Sequence, residues 1–422
     1  MTSARIDGIV ARLHGLHPRL IDLSLERLQA LLDKLDHPER KLPPVIHVGG
    51  TNGKGSTCAF IRAMAEAADL RVHVYTSPHL VRFNERIRIA GELVSDAALT
   101  EVLEHVERVN NGAAITVFEV ITAVALHLFA QTPAELCVLE VGLGGRGDAT
   151  NVIARPAACA ITSISLDHRE LLGDTLELIA AEKAGIMKRD VPVAIGAQPN
   201  AVAAVLLDAA ARVGAPVSLR GRDWTVTPTA TGFRYEDTTA KLLLPAPSLP
   251  GSHQLDNAGI AIAAVRASGL DVSDPAIPAG VMTAEWPARL QRLRGRLART
   301  LPPGWELWLD GGHNPGAGEV LGAHLATWAD RPVHLIVGMK DSKDAAGFLR
   351  PLLPHATTLW AVAEPGQHSA LPVEAIIAAS GGVARPAPHV ADALAAIARE
   401  REPGRVLICG TLYLAGEVLK QE

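Results

Sequence analysis

Aromatic side chains are scarce, with six Trp, six Phe and three Tyr in 422 residues. The core must then be built from aliphatics and alanine, with 37 glycines allowing helices to approach a parallel sheet closely, and an all-β sandwich is disfavoured. Cysteine is scarcer still. Cys58, Cys137, Cys159 and Cys409 show no CxxC spacing, so neither a zinc cluster nor a disulfide framework is indicated, and a reducing cytoplasmic setting is expected. Neither sign of charge dominates: 40 Lys and Arg against 45 Asp and Glu leave −5, which gives no reason to expect a nucleic-acid partner. The N-terminus lacks a basic region followed by an apolar one, so no secretory signal is expected. The most apolar stretch, 113–130, carries Glu119 and His127 and is too short and too polar to span a bilayer; it predicts a core helix and no membrane partner. Apolar residues at 48% and a mean hydropathy of +0.18 exclude a disordered chain. The length suggests two unequal domains of about 280 and about 130 residues.

From residue 45 short β-branched runs alternate with helical stretches, the pattern of βαβ units. Strands are predicted at 45–48, 71–75, 136–141, 159–164 and 191–195. Upstream, Asp22 is placed to cap a helix with Leu25, Leu28, Leu31, Leu32 and Leu35 on one face. Residues 216–250 predict a small antiparallel appendage, followed by a helix from about Gln254 to Ser268 that Gly269 ends. The basic stretch Trp286 to Arg296 interrupts the alternation. The expected fold is therefore α/β: an N-terminal P-loop-type, mostly parallel sheet domain with its appendage (1–286), a linker (287–296) and a smaller Rossmann-like α/β domain (297–422).

GGTNGKGST, residues 49–57, lies between a predicted strand and a predicted helix, where a glycine-rich turn offers backbone N–H groups to phosphates. Lys54 would reach the β- and γ-phosphates, and Ser56 or Thr57 would place a hydroxyl near a metal. The Walker pattern is not strict: Val48 stands where its first glycine belongs, and Gly55 separates Lys54 from Ser56.

That variant resembles the ATP loop of the Mur ligase superfamily and, with Gly55, its folate branch, the folylpolyglutamate and dihydrofolate synthases. TSPHLVRFNERI (76–87), TVFEVITAVAL (116–126), LEVGLGGRGDATN (139–151), SLDHRELLG (165–173), EKAGI (182–186), DGGHNP (310–315) and CGTLYLAGEV (409–418) resemble the same family in the same order, over nearly the whole chain. Two positions depart from it: Gly147 replaces a larger apolar residue, and Gly311 follows Asp310 where relatives carry a bulkier one.

The resemblance implies a nucleotide site of Thr51, Asn52, Gly53, Lys54, Gly55, Ser56, Asn257, Arg289 and Asp310, with the nucleotide in a cleft between domains. It implies two Mg²⁺ ions held by Ser77, Glu140 and His168, and a Lys183 carrying CO₂ as a carbamate, since a plain ammonium beside two cations would be repelled. Asp22, Leu23, Thr116, Val117, Phe118, Glu119, Gly147, Asp148 and Ala149 match pterin contacts, and His313 would place the incoming glutamate. Lys54, Lys183, Asp310 and His313 are the catalytic candidates. Five of the site candidates also have a plain structural alternative: Glu140 paired with an arginine such as Arg146, His168 a hydrogen-bonded loop residue, Lys183 a helix-surface lysine, Glu119 a helix-surface acid, Arg289 a solvated charge.

The implied reaction is ATP-dependent amide formation by a monomer acting on small molecules. A dihydropteroate or folate carboxylate takes the γ-phosphoryl group, and L-glutamate displaces phosphate. A cell-wall Mur ligase would be expected to carry a further N-terminal domain, for which the 48 residues before Gly49 are too few. A P-loop switch without ligase activity would not need Ser77, Glu140, His168 and Lys183 together.

Overall fold

The structure is a computed structural model that describes residues 2–18 and 21–422. The chain forms two compact units, one of Met1–Ile164, Thr175–Ser248 and Leu255–Glu285, the other of Ser165–Asp174, Leu249–Gln254 and Trp286–Glu422.

The first unit is built on eight strands: β1 (Val45–Gly49), β2 (Val72–Tyr75), β3 (Ile87–Ile89), β4 (Glu92–Leu93), β5 (Leu136–Glu140), β6 (Ala158–Ile161), β7 (Val193–Ile195) and β8 (Val217–Leu219). Their order is β4-β3-β2-β5-β1-β6-β7-β8. The six from β2 to β8 are parallel, and β3 and β4 close one edge antiparallel. Both central strands, β1 and β5, are buried at every residue, which is why they read as continuous apolar runs and not as alternating ones. Around one face pack α1 (Thr2–His14), α2 (Glu26–Lys34), α4 (Asp96–Asn110) and α5 (Val117–Gln131), with Ile9, Leu31, Leu103 and Val124 in a shared core; α3 (Lys54–Glu66) follows β1.

Three expectations need correction here. Asp22 does not cap α2: Leu25 holds the N-cap position without a side-chain bond, and the Asp22 carboxylate instead accepts from Arg27 Nη1 at 2.9 Å. The apolar helix begins at Val117 and not at 113, because Thr116 and Glu119 form a capping box that fixes its start. The appendage is the antiparallel sheet β9 (Trp224–Pro228), β10 (Gly232–Asp237) and β11 (Lys241–Pro245), whereas residues 217–219 extend the large sheet by pairing with β7. The following helix runs His253–Ala267, and Gly269 turns away at φ +76°.

The second unit has β12 (Gln291–Leu293), β13 (Glu306–Leu309), β14 (Val333–Val337), β15 (Thr358–Ala361), β16 (Arg385–Pro386) and β17 (Arg405–Cys409), ordered β12-β13-β17-β14-β15-β16. All are parallel except β12. The stretch expected as a linker, 287–296, thus contains an edge strand: Leu290 and Leu293 are buried while Arg292 is exposed, and Leu293 pairs with Leu307. The four cysteines are free and buried. Among the described residues, no helix is long and apolar enough to cross a membrane.

Candidate active site

In the first unit the candidate phosphate and metal residues 51–56, Ser77 and Glu140 lie at the C-terminal ends of β1, β2 and β5. After β1 the chain turns through Gly50 (φ +139°) and Gly53 (φ +90°) into α3. A Cβ on Gly50 would stand 1.9 Å from Thr162 Oγ1, and one on Gly53 would stand 2.3 Å from Asn257 Oδ1, so both glycines are required for closeness as well as for backbone angle. The second contact brings Asn257 against the loop. Thr51 and Asn52 spend their N–H groups on the Ser163 carbonyl, at 2.9 and 3.2 Å. The donors left for an anion are those of the first turn, Lys54, Gly55 and Ser56, because α3 has no side-chain cap. Two ammonium groups meet below them: Lys183 Nζ donates to the Gly50 carbonyl at 2.9 Å, and Lys54 Nζ donates to the Gly50 and Thr51 carbonyls at 3.2 Å each.

Glu140 ends β5 opposite Val48 of β1, is buried, and accepts the Ser77 N–H at 3.2 Å. Arg146, its alternative partner, pairs with Glu182 at 3.3 Å. Burial, reinforced by the Glu140 charge, pushes the Cys58 thiol well up and makes it inert. The hydroxyls of Ser56 and Thr57 are buried and have no partner among the described residues.

The pterin candidates also converge. Arg27 lies between Asp22 and Glu119, with Nη1 2.9 Å from Asp22 Oδ2 and Nη2 3.1 Å from Glu119 Oε1. Glu119 Oε2 accepts from the Thr116 N–H and hydroxyl at 2.7 Å each, which explains a buried acid in an apolar helix. Loop 142–151 folds against this group. A Cβ on Gly142 would meet the Phe118 ring at 2.4 Å, and one on Gly147 would meet Leu23 at 3.0 Å, so glycine at 147 accommodates Leu23. Asp148 and Ala149 are buried below.

In the second unit Asp310 is buried after β13, with Oδ2 accepting the Leu290 N–H at 2.8 Å and Oδ1 the Gly312 N–H at 2.7 Å. Burial raises its pKa against the opposing Arg289 charge and these N–H groups. This clamp holds Ala288 and Leu290 at φ +54° and +45° on either side of Arg289, a conformation costly for a side chain such as leucine. A Cβ on Gly311 would lie 2.3 Å from Leu412, which accounts for the glycine there.

His168 is held in a cluster that sequence inspection missed. Asp167 takes Lys343 Nζ at 2.5 Å and Asn314 Nδ2 at 3.1 Å, with His313 Nε2 at 3.5 Å. Lys343 Nζ is also 3.3 Å from His168 Nε2. Burial acts to raise the Asp167 pKa, but His313, Lys343 and His168 outweigh it and hold the carboxylate well below its usual range. Burial pushes His168 down to about 4, so its ring is neutral at pH 7. The available signal was a lysine in a polar loop directly after β14, where open α/β sheets place ligand groups.

Residues 48–265 match the Mur ligase middle domain, which places the protein in the class of Mur-type ATP-dependent ligases. The dihydrofolate synthase/folylpolyglutamate synthase of Escherichia coli strain K12 is 35% identical over 411 residues, covering 97% of this chain and 93% of its own. The chain belongs to the dihydrofolate synthase/folylpolyglutamate synthase family. A solved structure of E. coli FolC in complex with DHPP and ADP aligns at TM-score 0.91 and 34% identity, covering 100% of this chain and 98% of that one. Another, of a bifunctional folylpolyglutamate synthase/dihydrofolate synthase with Mn, AMPPNP and L-glutamate bound, aligns at 0.87 and 33%, with coverage of 100% and 98%. The cell-wall alternative is not favoured.

A divalent cation fits the first unit. Ser56 and Thr57 at the start of α3 carry buried hydroxyls without partners among the described residues, Glu140 ends the adjacent strand β5 and accepts the Ser77 N–H, and oxygen donors of this kind suit a hard ion. Among the described residues, no group of three or more His, Cys, Asp or Glu side chains is gathered for a metal. As placed, His168 does not fit a second cation, because the Lys343 ammonium faces its Nε2.

Proposed function

We propose that the protein joins L-glutamate to the carboxylate of dihydropteroate and of reduced folates, with ATP as the phosphoryl donor. A carboxylate oxygen attacks the γ-phosphorus, ADP leaves, and the glutamate amine attacks the resulting acyl phosphate and expels phosphate, its proton passing to solvent. The observation that carries this is the uncapped N-terminus of α3 beside two ammonium groups and two unpartnered hydroxyls, in a chain of this family.

Catalysis is charge neutralisation and alignment. The first-turn N–H groups and Lys54 hold the β- and γ-phosphates, with Asn257 fixing the loop through Gly53. A cation bound by Ser56, Ser77 and Glu140 would further neutralise phosphate oxygens. Asp22, Thr116 and the 142–151 loop orient the pterin. In the second unit, Asp310 and Arg289 act on the nucleotide and His313 on glutamate.

Lys183 is assigned as a carbamate when CO₂ is present. A carbamylated Nζ keeps one N–H, so its bond to the Gly50 carbonyl can persist while the cation becomes an anion. The residues around Glu140 support one divalent ion; ligation by His168 requires Lys343 to turn away. Retention of all the pterin-contact segments supports dual use of dihydropteroate and tetrahydrofolate. Purified protein with ATP, glutamate and either acceptor should release ADP and phosphate together, and only when both acceptor and glutamate are present.

A further inference from the structure

Behind loop 142–151 a buried polar chain runs from the pterin candidate Asp148 to His47, a residue that none of the roles above uses. His47, at the centre of β1, is fully buried, and its Nε2 lies 2.8 Å from Thr150 Oγ1. That hydroxyl is 2.5 Å from Asp148 Oδ1, which also accepts the Thr150 N–H at 2.9 Å. Asp148 Oδ2 accepts the Leu143 N–H at 2.9 Å. Burial raises the Asp148 pKa, opposed by the Thr150 hydroxyl and the Thr150 and Leu143 N–H groups that all point at its two oxygens, and with these donors in place the single proton of Thr150 is committed to Asp148.

His47 must then donate from Nε2, and its Nδ1 is left as a bare acceptor. Nδ1 has no partner among the described residues, as this assignment requires. Burial, together with the Lys188 charge, keeps the ring neutral with a pKa of about 3. A buried nitrogen without a partner is costly and calls for a compensating role. The strand that carries His47 enters the nucleotide loop two residues later. One imidazole therefore ties the root of that loop to the loop bearing Gly147 and Ala149.

We propose that His47 is a positioning residue for the pterin substrate, its Nε2–H fixing Thr150 and Asp148 so that loop 142–151 keeps its shape against Leu23 and Phe118. This rests on the ligase function proposed above. Asp148 itself is only 1% exposed, with both oxygens bound by the protein, so its place in the loop depends on this chain.

The test is steady-state kinetics of purified full-length protein with dihydropteroate, ATP and glutamate, alongside thermal melting. His47→Leu removes the donor, His47→Gln keeps an N–H at similar reach, Thr150→Val removes the bridging hydroxyl and Thr150→Ser keeps it. Losing one buried hydrogen bond of this kind is expected to raise KM for dihydropteroate about 10-fold in His47→Leu and in Thr150→Val, with KM for ATP within about twofold of wild type. His47→Gln and Thr150→Ser should stay near wild type, and the His47→Leu/Thr150→Val double variant should be no worse than either single one. An unchanged dihydropteroate KM in the folded Leu and Val variants overturns the proposal, as does a common fall in all parameters that Gln and Ser fail to rescue, or additive losses in the double variant. If His47→Leu does not fold, the Thr150 pair decides alone. Wild-type protein inactive with every pterin acceptor would instead bring down the ligase function itself.

Discussion

Two lysines converge on the Gly50 carbonyl, and they are expected to respond differently to change. Lys54→Ala should abolish ADP release while altering folding free energy by less than about 1 kcal/mol, because the side chain is half-buried and bonds only to carbonyls of its own loop. Full activity in a folded variant would exclude Lys54 from phosphate binding. Lys183 should show a carbamate resonance in ¹³C NMR under labelled bicarbonate, and Lys183→Met should lack it. His47 should leave a mark on acid stability. Its folded pKa of about 3 lies below the ordinary 6.5, so the neutral ring contributes stability above pH 6.5 that is lost as pH falls toward 3. At pH 5 that loss is about 2 kcal/mol. In urea titrations at pH 7 and pH 5, His47→Gln should therefore lose less stability between the two pH values than wild type, and identical losses would contradict the burial of a neutral ring.

At the level of elements, loop 142–151 is fixed by close approach. A Cβ on Gly145 would stand 2.7 Å from the Glu182 carbonyl, and one on Gly185 would stand 2.5 Å from Arg146. Gly145→Ala should cost about 1–3 kcal/mol in urea unfolding, because backbone must move to make room. Much of this was legible beforehand. The strand, glycine turn and helix at 45–66 follow from composition and order, since β1 is a buried apolar run and Gly53 opens α3. The convergence of Asp22, Thr116 and Gly147 was legible only through family resemblance, because their meeting depends on Arg27 and on the Leu23 contact. Other features were not legible. The three-residue β12 has few buried positions to signal a strand among arginines, and the start of α5 is set by a buried carboxylate doubling as a cap. Lys343 was missed because its partner Asp167 lies 176 residues away, a separation over which no periodicity can point.

For the whole molecule, the chain contributes residues 165–174 to the second unit before completing the first, so His168 is held by partners that arrive far later in sequence. With a non-hydrolysable ATP analogue bound, Mn²⁺ titration followed by electron paramagnetic resonance should show one bound ion per chain; two bound ions in the wild type would contradict the placement of Lys343 against His168. The central claim is ligation of glutamate to a pterin acid. Its most direct test is a coupled assay of the purified protein with ATP and L-glutamate, run in parallel with dihydropteroate and with tetrahydrofolate, measuring ADP, phosphate and the glutamylated product. ADP, phosphate and product in equal amounts with at least one acceptor, and none of them when glutamate is omitted, is the predicted result. ADP release indifferent to acceptor and glutamate, or silence with both acceptors, would contradict it.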